Sequence, residues 1–144
     1  MTLELHATPE NVMCAVRALQ EFAKEHGVPE KSVFALALAL EECGSNIVNH
    51  ALQRDARKTF KVGLAHQGES FAIELRDAGP EFDPTAAAER KPQAEDDDVL
   101  GGWGIQLVRR YIDRIEYKRE GGQNILRLTK QLGGAAKQDN AHQP

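Results

Sequence analysis

Four polar side chains interrupt an otherwise apolar helical segment: Glu42, Ser45, Asn46 and Asn49. Their offsets of three, four and seven residues place them on one stripe of a helix. Burying an unpartnered carboxylate or amide is costly, so this stripe is expected to face a polar cleft or a bound ligand. The same spacing also fits a helix edge that reaches solvent.

A second candidate follows an apolar strand, in Asp77-Ala78-Gly79. A carboxylate at a strand end can accept a hydrogen bond from an exocyclic amine, and glycine leaves room for a planar ring to approach the backbone. The same three residues also fit an ordinary turn.

The third candidate is Gly101-Gly102-Trp103-Gly104, which precedes an apolar helical repeat. Glycines let successive N–H groups converge, and a helix N-terminus adds partial positive charge, so the segment could cradle a phosphate. It has neither the Gly-Lys-Ser/Thr of a P-loop nor the third spaced glycine of a dinucleotide fingerprint. A flexible hinge is the alternative.

The elements that position these candidates follow from the apolar periodicity. It predicts a strand at residues 3–5, helices over 9–26, 29–53 and 104–113, and hairpins through 60–64 with 71–75 and through 115–119 with 124–132. Residues 80–102 have no sustained period and are predicted to form a long loop, which in a compact domain is usually functional.

Composition indicates a single soluble domain, with 144 residues, 41% hydrophobic and 28% charged. The longest apolar run, residues 33–40, is too short to cross a bilayer. No signal peptide is recognisable, so a cytoplasmic location is expected. Cys14 and Cys43 fit no metal-ligand spacing and are expected to be small buried hydrophobes.

Charge is unevenly distributed along the chain. Residues 81–98 carry seven acidic side chains against two basic ones, and residues 105–137 carry eight basic against three acidic. This polarity could attract an anionic ligand or an acidic partner, although a solvated surface would look the same. The sequence pI of about 5.7 argues against nucleic-acid binding.

Taken in order, the three candidates resemble the N, G1 and G2 boxes of the GHKL (histidine kinase-like) ATPase superfamily. The matching segments are 40–51, 77–84 and 101–108, and the closest likeness is to the single-domain anti-sigma factor serine/threonine-protein kinases. The resemblance implies a Bergerat-type α/β (α+β) fold, a two-layer sandwich whose mixed, mostly antiparallel sheet carries helices on one face. It also implies one domain over 1–132, with 85–100 as ATP lid and 133–144 as a flexible tail.

The resemblance also implies roles for individual residues. Glu42 would be the catalytic general base, and Asn46 would hold Mg²⁺. Asp77 would bind the adenine amino group, and Gly79 would let the base sit close. The remaining nucleotide contacts would come from Gly102, Gly104 and Ile105.

The function implied is that of an ATP-dependent serine/threonine-protein kinase and anti-sigma factor in a partner-switching circuit. Such a protein would phosphorylate a STAS-type antagonist and sequester a sigma factor or similar regulator. The resemblance also implies a homodimer. Histidine kinases usually carry asparagine where Glu42 stands, which favours the serine-kinase branch. In the last hairpin, Gly122-Gln123-Asn124 replaces the Gly-Thr that is common in larger relatives, so a phosphate contact from this hairpin is not expected. Two alternatives are a nucleotide-binding regulatory module without kinase activity and an ATP-independent interaction protein.

Overall fold

The computed structural model describes residues 1–87 and 99–133. Its strands are β1 (Thr2–His6), β2 (Thr59–Gln67), β3 (Ser70–Asp77), β4 (Arg114–Glu120) and β5 (Gln123–Gln131). Its helices are α1 (Pro9–Glu25), α2 (Glu30–Asn46), a π-helical turn (Ile47–Ala51), α3 (Pro84–Ala87) and α4 (Val99–Tyr111).

The five strands form one sheet in the order β1-β2-β3-β5-β4. All four pairings between described strands are antiparallel. The predicted α+β fold with a mostly antiparallel sheet is confirmed. No parallel pair occurs among the described strands, because the chain returns from α4 into the edge strand β4 and then inserts β5 between β4 and β3. Both predicted hairpins are confirmed.

The helices lie on one face of this sheet. Alternation along β3 turns Phe71, Ile73 and Leu75 toward the helices, where they join the buried core with apolar residues of α1, α2 and α4. On the opposite face, Glu74 pairs with Arg76 at 3.1 Å and with Arg127 at 3.8 Å. These charged side chains remain in contact with solvent, as expected for a two-layer fold.

Helix α2 packs against both α1 and α4, which explains why its apolar residues cover so much of its circumference. Helix α1 begins as predicted, with the Thr8 side chain accepting a hydrogen bond from the Asn11 N–H at 3.1 Å. The second helix, expected to run to residue 53, instead changes to a π-helical turn at Ile47 and ends at Ala51.

The long segment predicted as loop is partly helical. Helix α3 follows Phe82-Asp83, and α4 begins at Val99 rather than at residue 104. Residues 88–98 of the proposed lid and residues 134–144 of the proposed tail lie outside the described residues.

Two smaller expectations have different outcomes. Cys43 is buried as predicted, whereas Cys14 is exposed on α1, so its assignment as a buried hydrophobe is wrong. Its position beyond the apolar stripe of α1 accounts for the exposure. Among the helices in the described ranges, none is long and apolar enough to cross a membrane.

Candidate functional site

A pocket opens where the C-terminal end of α2 meets the ends of the central strands. Its lining combines apolar walls with a few polar groups. The residues that line it are Cys43, Asn46, Ile47, Leu75, Asp77, Phe82, Pro84, Tyr117, Asn124 and Leu126. Pockets that bind small ligands typically have this composition, because apolar walls give affinity and a few polar atoms give orientation. Two predicted site residues, Asn46 and Asp77, are thus brought together.

Asp77 is the buried charge of this pocket. It is the last residue of β3, follows Leu75 on the helix-facing side of the strand, and is only 3% exposed. Its Oδ1 accepts hydrogen bonds from the Gly79 N–H and from Asn124 Nδ2, both at 2.9 Å. Charge-assisted hydrogen bonds of this kind offset the cost of burying a carboxylate. Within the described residues Oδ2 makes no hydrogen bond, which leaves it available to a ligand.

Gly79 is required by steric contact with the end of the preceding helical segment. A Cβ at this position would lie 2.6 Å from the Ala51 carbonyl oxygen and 3.1 Å from Leu52 Cδ2. The turn after β3 therefore packs directly on the π-helical turn. Space for a nucleotide base beside this glycine, the reason expected from the sequence, stays a prediction.

The polar stripe of α2 lies at the junction with the π-helical turn. Glu42, Ser45 and Asn46 are all partly exposed, and no side-chain hydrogen bond joins them to any other residue that the structure describes. Burial, and secondarily the neighbouring Glu41, raises the pKa of the Glu42 carboxyl. Glu42 lies one turn before Asn46 and does not line the pocket.

The π-helical turn changes the direction of the residues that follow Asn46. The Leu52 N–H donates to the Ile47 carbonyl at 2.8 Å, a bond that spans five residues. Turns of this type occur often at functional sites. Asn49, the last residue of the stripe, accepts a hydrogen bond from Arg54 Nε at 2.9 Å, so its side chain is occupied by the loop that follows.

The glycine-rich segment is positioned differently from the prediction. Because α4 begins at Val99, Gly102 and Gly104 lie inside the helix instead of before it. A helix tolerates glycine at a cost of about 1 kcal/mol each, and the buried stripe of Ile105, Val108 and Ile112 holds α4 on the core. The N–H groups without an intrahelical partner are those of the N-cap and of the first three helical residues, which end at Gly101 in α4. The N–H groups of Gly102 and Gly104 therefore both belong to the helical hydrogen-bond pattern.

Ile105 belongs to the core and not to the pocket. Its side chain is 1% exposed and packs with the apolar residues beneath the sheet. Only its backbone could therefore contact a ligand. The side chain of Trp103 lies outside the described part of the structure.

Sequence reasoning missed the polar group that faces Asp77 across the sheet. Asp77 and Asn124 are directly opposite in the β3–β5 pairing, and Asn124 is buried together with Asp77. Asn124 precedes Leu126 and Leu128 on the helix-facing side of β5. A polar residue in that alternating pattern is the signal that could have identified it.

Asn46 is chemically suited to hold Mg²⁺. Its amide oxygen is a hard ligand of the type that Mg²⁺ prefers, and this ion usually takes one or two protein ligands together with substrate phosphates and water. The described residues contain no group of three His, Cys, Asp or Glu side chains that could bind a metal.

Comparison with known proteins matches this arrangement to a family. The model of the histidine kinase-like ATPase domain matches residues 5–130. Serine/threonine-protein kinase BtrW of Bordetella bronchiseptica is 31% identical over 130 residues, which cover 89% of this chain and 91% of that protein. Serine-protein kinase RsbW of Listeria monocytogenes is 25% identical over 146 residues, covering 98% and 92%.

Among solved structures, the RsbU and RsbW domains of a Mycobacterium tuberculosis protein are similar to this chain with a TM-score of 0.67 at 18% identity. The match covers 92% of this chain and 31% of that longer chain. At this identity the likeness shows the fold.

Proposed function

Because the chain belongs to the histidine kinase-like ATPase domain family, we propose that it binds ATP in the pocket beside Asp77 and transfers its γ-phosphoryl group to a protein serine or threonine. The single observation that carries ATP binding is the buried Asp77 carboxylate, with one oxygen fixed by two donors and the other without a hydrogen bond from any residue in the described ranges. An acceptor held in an apolar pocket suits the exocyclic amino group of adenine.

Kinase activity is supported by the relatives whose names describe it, BtrW and RsbW, of which BtrW is 31% identical over most of both chains. A hydroxyl oxygen of the acceptor attacks the γ-phosphorus, the bond to the β–γ bridging oxygen breaks, and ADP leaves with the electron pair. Such transfer depends mainly on positioning and charge neutralisation.

Glu42 is the proposed general base that accepts the hydroxyl proton. Its raised pKa favours this role, because a base works best when its pKa lies near the working pH. When bound, Mg²⁺ would neutralise charge on the phosphates, and Asn46 is the residue that would hold it. Gly102 and Gly104 are the proposed phosphate contacts, because they lie near the N-terminus of α4, whose partial positive charge favours an anion.

The acceptor we propose is a STAS-type antagonist, with a sigma factor or similar regulator as the sequestered partner and a homodimer as the active form. ATP and sigma factors are cytoplasmic, so the proposed reaction takes place there. These partners follow from the likeness to anti-sigma factor kinases.

A transfer assay tests the kinase proposal. Purified protein, Mg²⁺ and γ-labelled ATP are incubated with candidate antagonists, and transfer to a serine or threonine is expected. Glu42→Gln should abolish transfer and retain ATP binding. Glu41→Gln is the matched control, because this neighbouring carboxylate is exposed and should be dispensable.

A second candidate function is that of a nucleotide-binding module that sequesters a partner without phosphorylating it. It is favoured by the position of Glu42 outside the pocket lining. If ATP binds but no antagonist is labelled, and Glu42→Gln still releases its partner in response to nucleotide, this function replaces the kinase. If calorimetry detects no binding of Mg-ATP, both functions fail.

A further inference from the structure

Asn124 concentrates more hydrogen bonds than any other side chain described around the pocket. It is 5% exposed at the beginning of β5. Its Nδ2 donates to Asp77 Oδ1 at 2.9 Å and to the Pro80 carbonyl at 2.8 Å. Its Oδ1 accepts from the Phe82 N–H at 3.0 Å and from Tyr117 Oη at 2.6 Å.

A fifth bond reaches Asn124 from the neighbouring strand. Arg119 Nη1 donates to Asn124 Oδ1 at 3.1 Å and also to the Gly79 carbonyl at 2.7 Å. Burial raises the pKa of Tyr117, so its hydroxyl stays protonated and acts as a donor. The amide orientation is fixed by this pattern, because a flipped amide would face three donors with its NH₂ group and two acceptors with its oxygen.

These bonds connect two parts of the pocket that are far apart in sequence. The turn after β3 is held to β5 through its carboxylate, one carbonyl and one N–H, all of them bonded to Asn124. A partly satisfied buried network is costly, so removing the amide leaves the Pro80 carbonyl and the Phe82 N–H without this partner. Asp77 would then keep only the Gly79 N–H as a donor to Oδ1.

We propose that Asn124 is a positioning residue for recognition of the nucleotide base: it fixes Asp77 as a hydrogen-bond acceptor and holds residues 80–82 over the pocket, and so determines the preference for adenine over guanine. The proposal rests on the proposed function, since it requires a nucleotide beside Asp77. Adenine presents an amino group to such an acceptor, whereas guanine presents a carbonyl oxygen at the corresponding position.

The preference for adenine over guanine depends on whether the base presents a hydrogen-bond donor or an acceptor to Asp77. A carboxylate pinned by two donors on Oδ1 presents Oδ2 as an acceptor and rejects the guanine carbonyl by repulsion. When Asn124 is truncated to alanine, the Asp77 carboxylate can rotate more freely. Adenine and guanine should then bind with similar free energies. The ratio of ATP to GTP affinity is therefore the diagnostic quantity.

Calorimetry with Mg-ATP and Mg-GTP on the full chain tests the proposal. Asn124→Ala should lower ATP affinity by about tenfold or more, the effect of losing about 1.4 kcal/mol, while GTP affinity changes by less than about threefold. Asn124→Thr keeps one hydroxyl donor and should retain most of the ATP preference. Asn11→Ala is the matched control: it removes an amide that donates to the His6 carbonyl at 3.0 Å, on α1 and outside the pocket lining, and it should leave both affinities unchanged.

Asn124→Asp allows a second test, the pH dependence of ATP affinity, which would not change if Asn124 only stabilised the fold. It places a second carboxylate where Nδ2 donated at 2.9 Å, and two carboxylates so close share a proton. ATP affinity of this variant should rise as the pH falls from about 8 to about 6, whereas that of the wild-type protein changes little.

The outcomes separate the two hypotheses. If the wild-type protein binds no ATP, the proposed function fails and this inference with it. If the wild type prefers ATP and Asn124→Ala folds with an unchanged ratio, or with equal losses for both nucleotides, only the inference is overturned. If Asn124→Ala does not fold, the ratio in Asn124→Thr and the pH dependence in Asn124→Asp decide.

Discussion

Replacing Gly79 by alanine tests whether the turn after β3 is built on the end of α2. The added Cβ would lie 2.6 Å from the Ala51 carbonyl oxygen and 3.0 Å from Asp77 Oδ1. The first distance is to backbone, so relief requires the turn to move away from the helix. Gly63→Ala is the matched control, because a Cβ there lies 3.8 Å from its nearest neighbour, Glu74 Cβ.

Two opposing contributions determine how much Gly79→Ala changes the free energy of unfolding. Forcing extra volume into a packed site costs about 1–3 kcal/mol, while the loss of glycine's freedom in the unfolded chain returns about 0.4–1 kcal/mol. We therefore expect Gly79→Ala to lower the free energy of unfolding by about 1–2 kcal/mol. Gly63→Ala carries only the favourable term and should be neutral or stabilising by up to about 1 kcal/mol.

Chemical denaturation followed by far-ultraviolet circular dichroism measures this difference. A shift of the midpoint at constant m-value would report stability rather than a change in the unfolded state. ATP affinity should fall in Gly79→Ala and remain unchanged in Gly63→Ala, since only the first displaces the Asp77 turn. Equal stability of the two variants would show that the contact with Ala51 does not constrain the fold.

Two further predictions concern titratable groups. The folded-state pKa of Glu42 lies above its ordinary value of 4.5, so the stability it contributes is complete below pH 4.5 and is lost as the pH rises through the folded pKa. Glu42→Gln should therefore raise the free energy of unfolding relative to wild type at neutral pH, with a gap that closes in acid; a gap independent of pH contradicts this. Burial raises the pKa of the Cys43 thiol to about 12, whereas Cys14 is exposed, so alkylation of the native protein followed by mass spectrometry should show one rapid addition, absent in Cys14→Ser. A rapid second addition would show that Cys43 is accessible.

The sheet could be predicted because its apolar residues alternate and its turns carry their own signals. Gly121 and Gly122 both have positive φ, 61° and 75°, as a tight hairpin turn requires. The end of α2 could not be predicted in the same way. Apolar spacing does not distinguish bonds that span four residues from bonds that span five, so the π-helical turn after Asn46 left no mark on the pattern.

The start of α4 shows a second limit of sequence reasoning. Glycines indicate a break in a helix through their local cost, which is about 1 kcal/mol each, but tertiary packing of Ile105 and Val108 in the core can extend a helix through them. The role of Asn124 was hidden for another reason. Its partners Asp77 and Pro80 lie 47 and 44 residues away, and only the β3–β5 register brings them together.

The β3–β5 register determines which side chains meet in the pocket. Asp77 and Asn124 form the last pair of the β3–β5 ladder, after Leu75 and Leu126 two positions earlier. A slip of one residue would turn every side chain of β5 to the other face, burying Arg127 and removing Asn124 from Asp77. The apolar residues that select the correct register therefore also place the amide against the carboxylate, so the energy that stabilises the sheet specifies the geometry of the pocket.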